Sequence, residues 1–480
     1  MSMARAATGA SLSQRSTLRT VLSIAAVFVA VWVVALLYWK TTWHVPSALD
    51  LLLYGLALPA LLATGVVLAR RALGPARPRP AAATRAADEP STPAASEAAA
   101  RQWTMALLDS SLRLPAGITP EEVGNAAREA SVIGLHPELM RQDGVKIFAS
   151  GIASLELDQF DESLLPDGTA HALHDEHRRA LLLAAETLDE LMERQAVELG
   201  GVGENAPASA AREAASLKLH LLLPQRWQAL APTLAAWLDA HLARERWMPR
   251  MERVRLMCVA DPVQALTALD DLTVALQQQP LATRHVLVAL DSSLGQQTVD
   301  TLDNLGQLYE QKHPDGHVLG EGACALLLAH PAAATMVPAA HLHRLVTAQL
   351  AGPIEQPAQQ RGETLAQLLD AAREQAALPG LEIASCALVS DADQRNSRRA
   401  EVTSVVEARW PETETDGRCL HLGFANGESH AVLALSAVAV AGAHSLGEQQ
   451  PTFALSNADA SARGVMLVSP PPPQAVALTA

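Results

Sequence analysis

The sequence predicts an α/β body behind an N-terminal two-helix transmembrane hairpin. Two 19-residue stretches without a charge open the chain. Beyond residue 101, short aliphatic runs alternate with amphipathic segments of helical period. The charge also changes sign between the two parts. Residues 1–85 carry nine Lys/Arg and one acid, whereas 86–480 carry 27 basic and 50 acidic residues, within a net charge of −15.

After a tail at 1–20, the stretches "VLSIAAVFVAVWVVALLYW" (21–39) and "LLLYGLALPALLATGVVLA" (51–69) are each long enough to cross a bilayer core. Tyr38, Trp39 and Trp43 stand where an aromatic belt would lie. Five arginines (Arg70, Arg71, Arg77, Arg79, Arg85) follow the second stretch, and Arg5, Arg15 and Arg19 precede the first. The expectation is a hairpin over 21–70 in an inner (plasma) membrane of bacterial type, multi-pass, with both termini cytoplasmic. A long n-region and an immediate second span argue against a cleaved signal peptide. Residues 71–101, rich in Pro and Ala, read as a disordered linker.

In the body, 174–200 has helical spacing, "LKLHLLLP" (217–224) reads as a buried strand, and a helix runs on through 244. "RVRLMCVA" (253–260) is a second strand. Asp261-Pro262 then offers an N-cap and a first-turn proline for the next helix. "HVLVAL" (285–290) is a third strand. Beyond a proline-rich break near 353–358, a helix is expected at 363–376, a strand at 381–390, a small-residue helix at 429–442 and a last strand at 464–469. The break suggests two halves, 102–350 and 351–480.

The acidic body excludes nucleic acid as the main partner, since phosphates need a basic surface. Cys258, Cys324, Cys386 and Cys419 form no CxxC pair, as expected in a reducing compartment. His171, His174 and His177 recur every third residue but drift around a helix, so they read as a solvated face and not a metal site; "HLH" (341–343) stands apart. Phosphate-cradling loops are absent from the sequence, and the expected cofactor is none.

The segment 284–330 resembles the middle of a thiolase-fold β-ketoacyl synthase. Asp315, Gly316, Gly320, Glu321, Gly322 and Ala323 follow that family's Asp-Gly-x-x-x-Gly-Glu-Gly-Ala pattern. There, glycines let backbone pack closely and the acid can cap amides. "HLGFANGESHAVLALSAVAVA" (421–441), with Gly423 and Gly427, resembles the family's Gly-His segment, and 453–468 resembles its closing turn and strand. The resemblance implies a thiolase-like, layered α/β/α body, whose halves would be 102–350 and 351–480.

It also implies a thiolate at a helix N-terminus and two histidines. The candidates here are Cys258 and His421. Yet Cys258 lies inside a strand, and the expected His-Gly-Thr segment is replaced by "LVSDADQRNSRRAEV" (388–402), which has no histidine. Ser292 and Ser293 sit in no hydrolase elbow. "LDSSLRLPAGITPEEV" (108–123) and "LHPELMRQDGVKIFASGI" (135–152) resemble the opening of membrane-tethered adapters that load lipase effectors onto type VI secretion machinery. The expectation is therefore a catalytically degenerate adapter or scaffold. Its partner would be a secreted effector or a secretion spike component, and a homodimer is compatible with the fold. The alternatives are an active acyltransferase and an accessory subunit of another inner-membrane complex.

Overall fold

The computed structural model describes residues 99–129, 133–199, 217–244, 254–334, 338–350, 358–410 and 418–472. All of them fall within one unit, Ser91–Ala480. The hairpin expected at 21–70 lies outside the described residues.

The body begins with strand β1 (Met105–Arg113) and helix α1 (Pro120–Glu129), then the hairpin β2 (Gly134–Met140) and β3 (Lys146–Ser150). Helix α2 (Asp175–Leu199) leads to β4 (Leu217–Pro224), α3 (Ala231–Arg244) and β5 (Arg255–Val259). Next come α4 (Pro262–Gln277), β6 (Arg284–Ser292), α5 (Gln296–Asn304) and β7 (Leu319–Ala329). Two short strands follow, β8 (Ala340–Leu342) and β9 (Val346–Gln349). The remaining order is α6 (Ala358–Ala376), β10 (Ala387–Ser390), α7 (Asn396–Arg409), β11 (Cys419–His421), the short α8 (Gly423–Asn426), α9 (Ala431–Glu448), β12 (Thr452–Ser456) and β13 (Ala462–Ser469).

The sheet runs β11-β10-β12-β13-β8-β1-β7-β6-β4-β5. This order contains a duplication that no short sequence period discloses. In the first half, β5, β4 and β6 are parallel, β7 is antiparallel to β6, and β1 pairs with the far side of β7. In the second half, β11, β10 and β12 are parallel, β13 is antiparallel to β12, and β8 pairs with the far side of β13. Each half thus has the order third, second, fourth, fifth, first, with the fifth strand reversed. The antiparallel pair β1–β8 joins them.

Helices fill the space on both sides of each half, which is why the strands read as near-continuous aliphatic runs. α2 and α3 bury Leu181, Leu188, Leu234 and Trp237 against Leu219, Leu221 and Val288. α4 and α9 pack on each other and share one core with residues from both halves, among them Leu287, Leu326, Val389 and Met466. α6 and α7 cover the outer face of the second half through Leu365, Leu369, Val402 and Val405. α9 is long and apolar enough to span a membrane by composition, yet 72% of it is buried in the body, so it is a core helix.

Several expectations shift. Because β8 and β9 pair with β13, the second set of strands begins at Ala340, ahead of the boundary placed at 351. The linker expected through 101 is helical at 99–101, where Arg344 Nη1 donates to the Ala100 carbonyl at 2.9 Å. The strand expected over 381–390 opens instead as a 3-10 turn, Ile383–Ser385. No separate strand is expected from the sequence at β1, β2, β3, β8, β9, β11 or β12.

Candidate functional site

Most of the glycine-rich motif lies within β7, a strand buried along its whole length. A Cβ on Gly320 would stand 2.4 Å from the Asn426 carbonyl oxygen, and one on Gly322 would stand 2.7 Å from the Arg113 carbonyl oxygen. Glu321 between them is fully buried. It holds Arg179 in a two-pronged pair at 2.6 and 2.7 Å and accepts from the Ile152 amide at 2.7 Å. The acid therefore does cap an amide, as its place beside the glycines suggests. Asp315 accepts from the Ser397 amide at 2.9 Å, tying the loop to the start of α7. Gly316 packs against Leu308, and Gly423 against the Ala392 carbonyl. Gly427 takes φ +64°, a conformation that favours glycine, beside the Leu319 carbonyl.

That turn delivers Glu428 and His430 to the ends of the parallel strands. His430 has φ +43°, unusual for a residue with a side chain, and stands at the N-cap position of α9 without a side-chain bond to the helix end. Its Nδ1 lies 3.0 Å from Asp291 at the end of β6, and its Nε2 lies 3.8 Å from Glu428. Arg226, in the turn after β4, also pairs with Asp291 and donates to the Ser292 carbonyl at 3.0 Å. Glu428 is bonded to His317 and faces Arg395 at 3.7 Å.

Partial loss of solvent works against an imidazolium at His430, but the hydrogen bond to Asp291 and the Glu428 charge outweigh it and raise its pKa. Burial likewise opposes ionisation of Asp291 and Glu428; the arginines and histidines beside them reverse this, and both pKa values are lowered. The group is a charge-compensated cluster in which both carboxylates favour the protonated form of the histidine.

Two adjoining clefts open here. One, of about 580 Å³, is lined by Ala260, Pro262, Glu428, His430 and the Lys312–His317 loop. The other, of about 320 Å³, is lined by Arg226, Val259, Ser293, Leu319 and again Glu428 and His430. Helix α4 points its N-terminus at this place. Asp261 caps it by accepting from the Gln264 amide at 2.8 Å, and Pro262 occupies the first turn.

Cys258 and His421 are not brought together. They sit on β5 and β11, the two outermost strands of the sheet order. Cys258 of β5 pairs across to Leu223 of β4, and partial burial raises its pKa. His421 accepts or donates with Ser390 Oγ at 2.7 Å, and burial followed by the Arg399 charge lowers its pKa to about 4. The histidine at the start of the small-residue helix is His430, nine residues later in the chain; the intervening α8 lengthens the turn. Burial pushes the Cys324 and Cys386 thiols to about 12 and Cys419 to about 11. None of the four cysteines lines either cleft.

Ser292 Oγ bonds to Glu321 at 3.2 Å and Ser293 Oγ to the Gly320 carbonyl at 2.9 Å, so both serve the motif. His177 corrects the expectation of a solvated face. It is buried against the Trp227 ring, with its pKa lowered to about 4 by burial and then by His174. The signal that could have found His430 is its position directly before "AVLALSAVAVA", the most apolar helix of the body.

No protein-family model and no curated protein matches the chain. Solved structures do. The oxazolomycin ketosynthase domain OzmH KS7 of Streptomyces albus JA3453 superposes with a TM-score of 0.53 at 13% identity, covering 77% of this chain and 75% of that one. A chain of AntDE:AntF (apo), a type II PKS acyl-carrier protein in complex with its ketosynthase bound to the hexaketide, gives 0.51 at 11% identity, covering 77% and 99%. The doubled sheet order, the paired central helices and these likenesses together establish a mixed α/β body with the thiolase-like fold of ketosynthases.

Proposed function

We propose that this chain is a protein-binding adapter or scaffold, held at an inner membrane by residues 21–70, whose ketosynthase-like body does not condense acyl groups. The observation that carries the reading is the start of α4. Acyl condensation needs a thiolate where a helix N-terminus can stabilise it. Here Asp261 and Pro262 fill that turn, and Pro262 lines the cleft beside His430. A histidine locked between two carboxylates is also a poor proton acceptor. The partner in this reading is a secreted effector of lipase type or a component of its delivery spike.

Intact-mass measurement of the full chain after incubation with acyl-CoA or an acylated carrier protein tests the point. No adduct is expected. A stable adduct that disappears in Cys258→Ala would establish the acyltransferase alternative, since a covalent route requires that sulfur. Direct binding of a purified lipase effector, intact in Cys258→Ala and His421→Ala, is the positive counterpart. For the anchor, a reporter fused after Arg85 should read cytoplasmic, and a periplasmic signal would remove the membrane topology on which the adapter reading depends.

A further inference from the structure

Helix α7 starts on the rim of the 580 Å³ cleft, and Arg398 stands in its first turn. Three arginines meet here, and two are taken up. Arg463 forks onto Glu401 at 2.6 and 2.9 Å, and Arg395 binds Asp393 at 2.7 Å. Arg398 is 3% exposed and donates from Nε to the Ala458 carbonyl at 3.2 Å. Its Nη1 has no partner, and among the described residues it makes no ion pair. Across the cleft, exposed Lys312 is also unpaired among the described residues.

The carboxylates that line the cleft are already committed. Asp315 accepts from the Ser397 amide, Asp459 from the Ser461 and Ala462 amides at 2.7 and 2.8 Å, and Glu428 is engaged by His317 and Arg395. An unpaired buried guanidinium is costly, and an oxyanion is the partner that its planar fork fits.

We propose that this cleft binds a small molecule through one oxyanion group, a carboxylate or a phosphate, held by Arg398 with Lys312. Burial first, then the Arg395 and Arg463 charges, lower the pKa of Arg398 to about 10, and Glu401 and Asp393 offset this only in part. The volume suits a small molecule. The site shares its cleft with Pro262 and His430, but neither Arg398 nor Lys312 is a residue on which the proposed function rests.

Calorimetric titration of the full chain in detergent, at low salt, tests this with pyrophosphate in one arm and malonate in the other. At least one probe should bind, and the tighter arm names the oxyanion. Arg398→Gln should weaken binding about tenfold or more, and raised salt should weaken it further. Lys312→Ala, at an exposed position that folding tolerates, should weaken it about threefold, and keeps the test alive where Arg398→Gln fails to fold. Absence of binding by both probes at millimolar concentration, or binding unmoved in Lys312→Ala and in a folded Arg398→Gln, overturns the proposal.

Discussion

Adding one methyl group at Gly320 should cost more than most single changes to this body. The new Cβ would stand 2.4 Å from the Asn426 carbonyl oxygen and 3.1 Å from both the amide nitrogen and the carbonyl oxygen of Glu428. A carbon and an oxygen need roughly 3.3 Å, so something must retreat by close to 1 Å. β7 cannot yield, because at Gly320 it pairs with Ser150 of β3 on one side and its next residue pairs with Ser292 of β6 on the other. The loop must move, and the Glu428 amide then leaves the Val318 carbonyl that it bonds at 2.9 Å. Overpacking of about 1–3 kcal/mol and one lost hydrogen bond of about 1 kcal/mol give about 2–4 kcal/mol for Gly320→Ala. Thermal unfolding followed by tryptophan fluorescence should show a midpoint lower by roughly 2–5 °C, since a unit as long as Ser91–Ala480 has a large unfolding entropy. Gly447→Ala is the control, since nothing lies within 4 Å of its Cβ and alanine favours a helix. Equal midpoints for the two variants would refute the claim that β7 is pinned between its neighbours.

Three further outcomes are expected. Arg179→Ala leaves Glu321 fully buried without its cation, so unfolding free energy should fall by about 3–5 kcal/mol, and a loss under 1 kcal/mol would mean the pair is replaceable by water. His430 has a raised folded pKa, so its contribution is fully present below about pH 6.5 and lost as pH rises through the folded value. The stability gap between wild type and His430→Gln should therefore close on the alkaline side, and a gap that widens there contradicts the pairing with Asp291 and Glu428. Asp391 is buried, which lifts its carboxyl to about 6 despite bonds from Ser456, Asn457 and Ala458. Its protonated form is thus the one the fold prefers, and stability should fall by on the order of 3 kcal/mol as pH rises from 4 to above 6. Asp391→Asn should flatten that slope, and a slope unchanged in the variant assigns it to another group.

The strands that pack on both faces were legible because burial on both sides leaves continuous aliphatic runs, as in "LKLHLLLP" and "HVLVAL". Asp261-Pro262 announced α4 because cap and proline act locally. β2 and β3 were missed for the opposite reason: they form a largely exposed hairpin without strict alternation. The site histidine was displaced by the length of one turn, which no local preference sets. The charged segment at 388–402 was the least legible. Arg395, Arg398 and Glu401 look like a solvated helix face, yet all three are buried. Residue pattern can mark a charge but cannot say which distant charge, such as Arg463, will meet it.

The position of Pro262 links fold to function more tightly than the absence of a nearby cysteine does. A proline in the first turn has no amide to donate, and Asp261 already occupies the Gln264 amide. The helix end that could have stabilised a thiolate is thereby closed from within the chain. Restoring a thiol by Pro262→Cys would supply the atom but leave Asp261 as the resident anion, which repels a thiolate and raises its pKa. Asp291 and Glu428 beside His430 also favour its protonated form, which works against its acting as a base. Arg226, Asp291, Glu428 and His430 thus compensate one another's charge beside the start of α4. In the adapter reading proposed above, a binding role would need only the surface that these residues maintain.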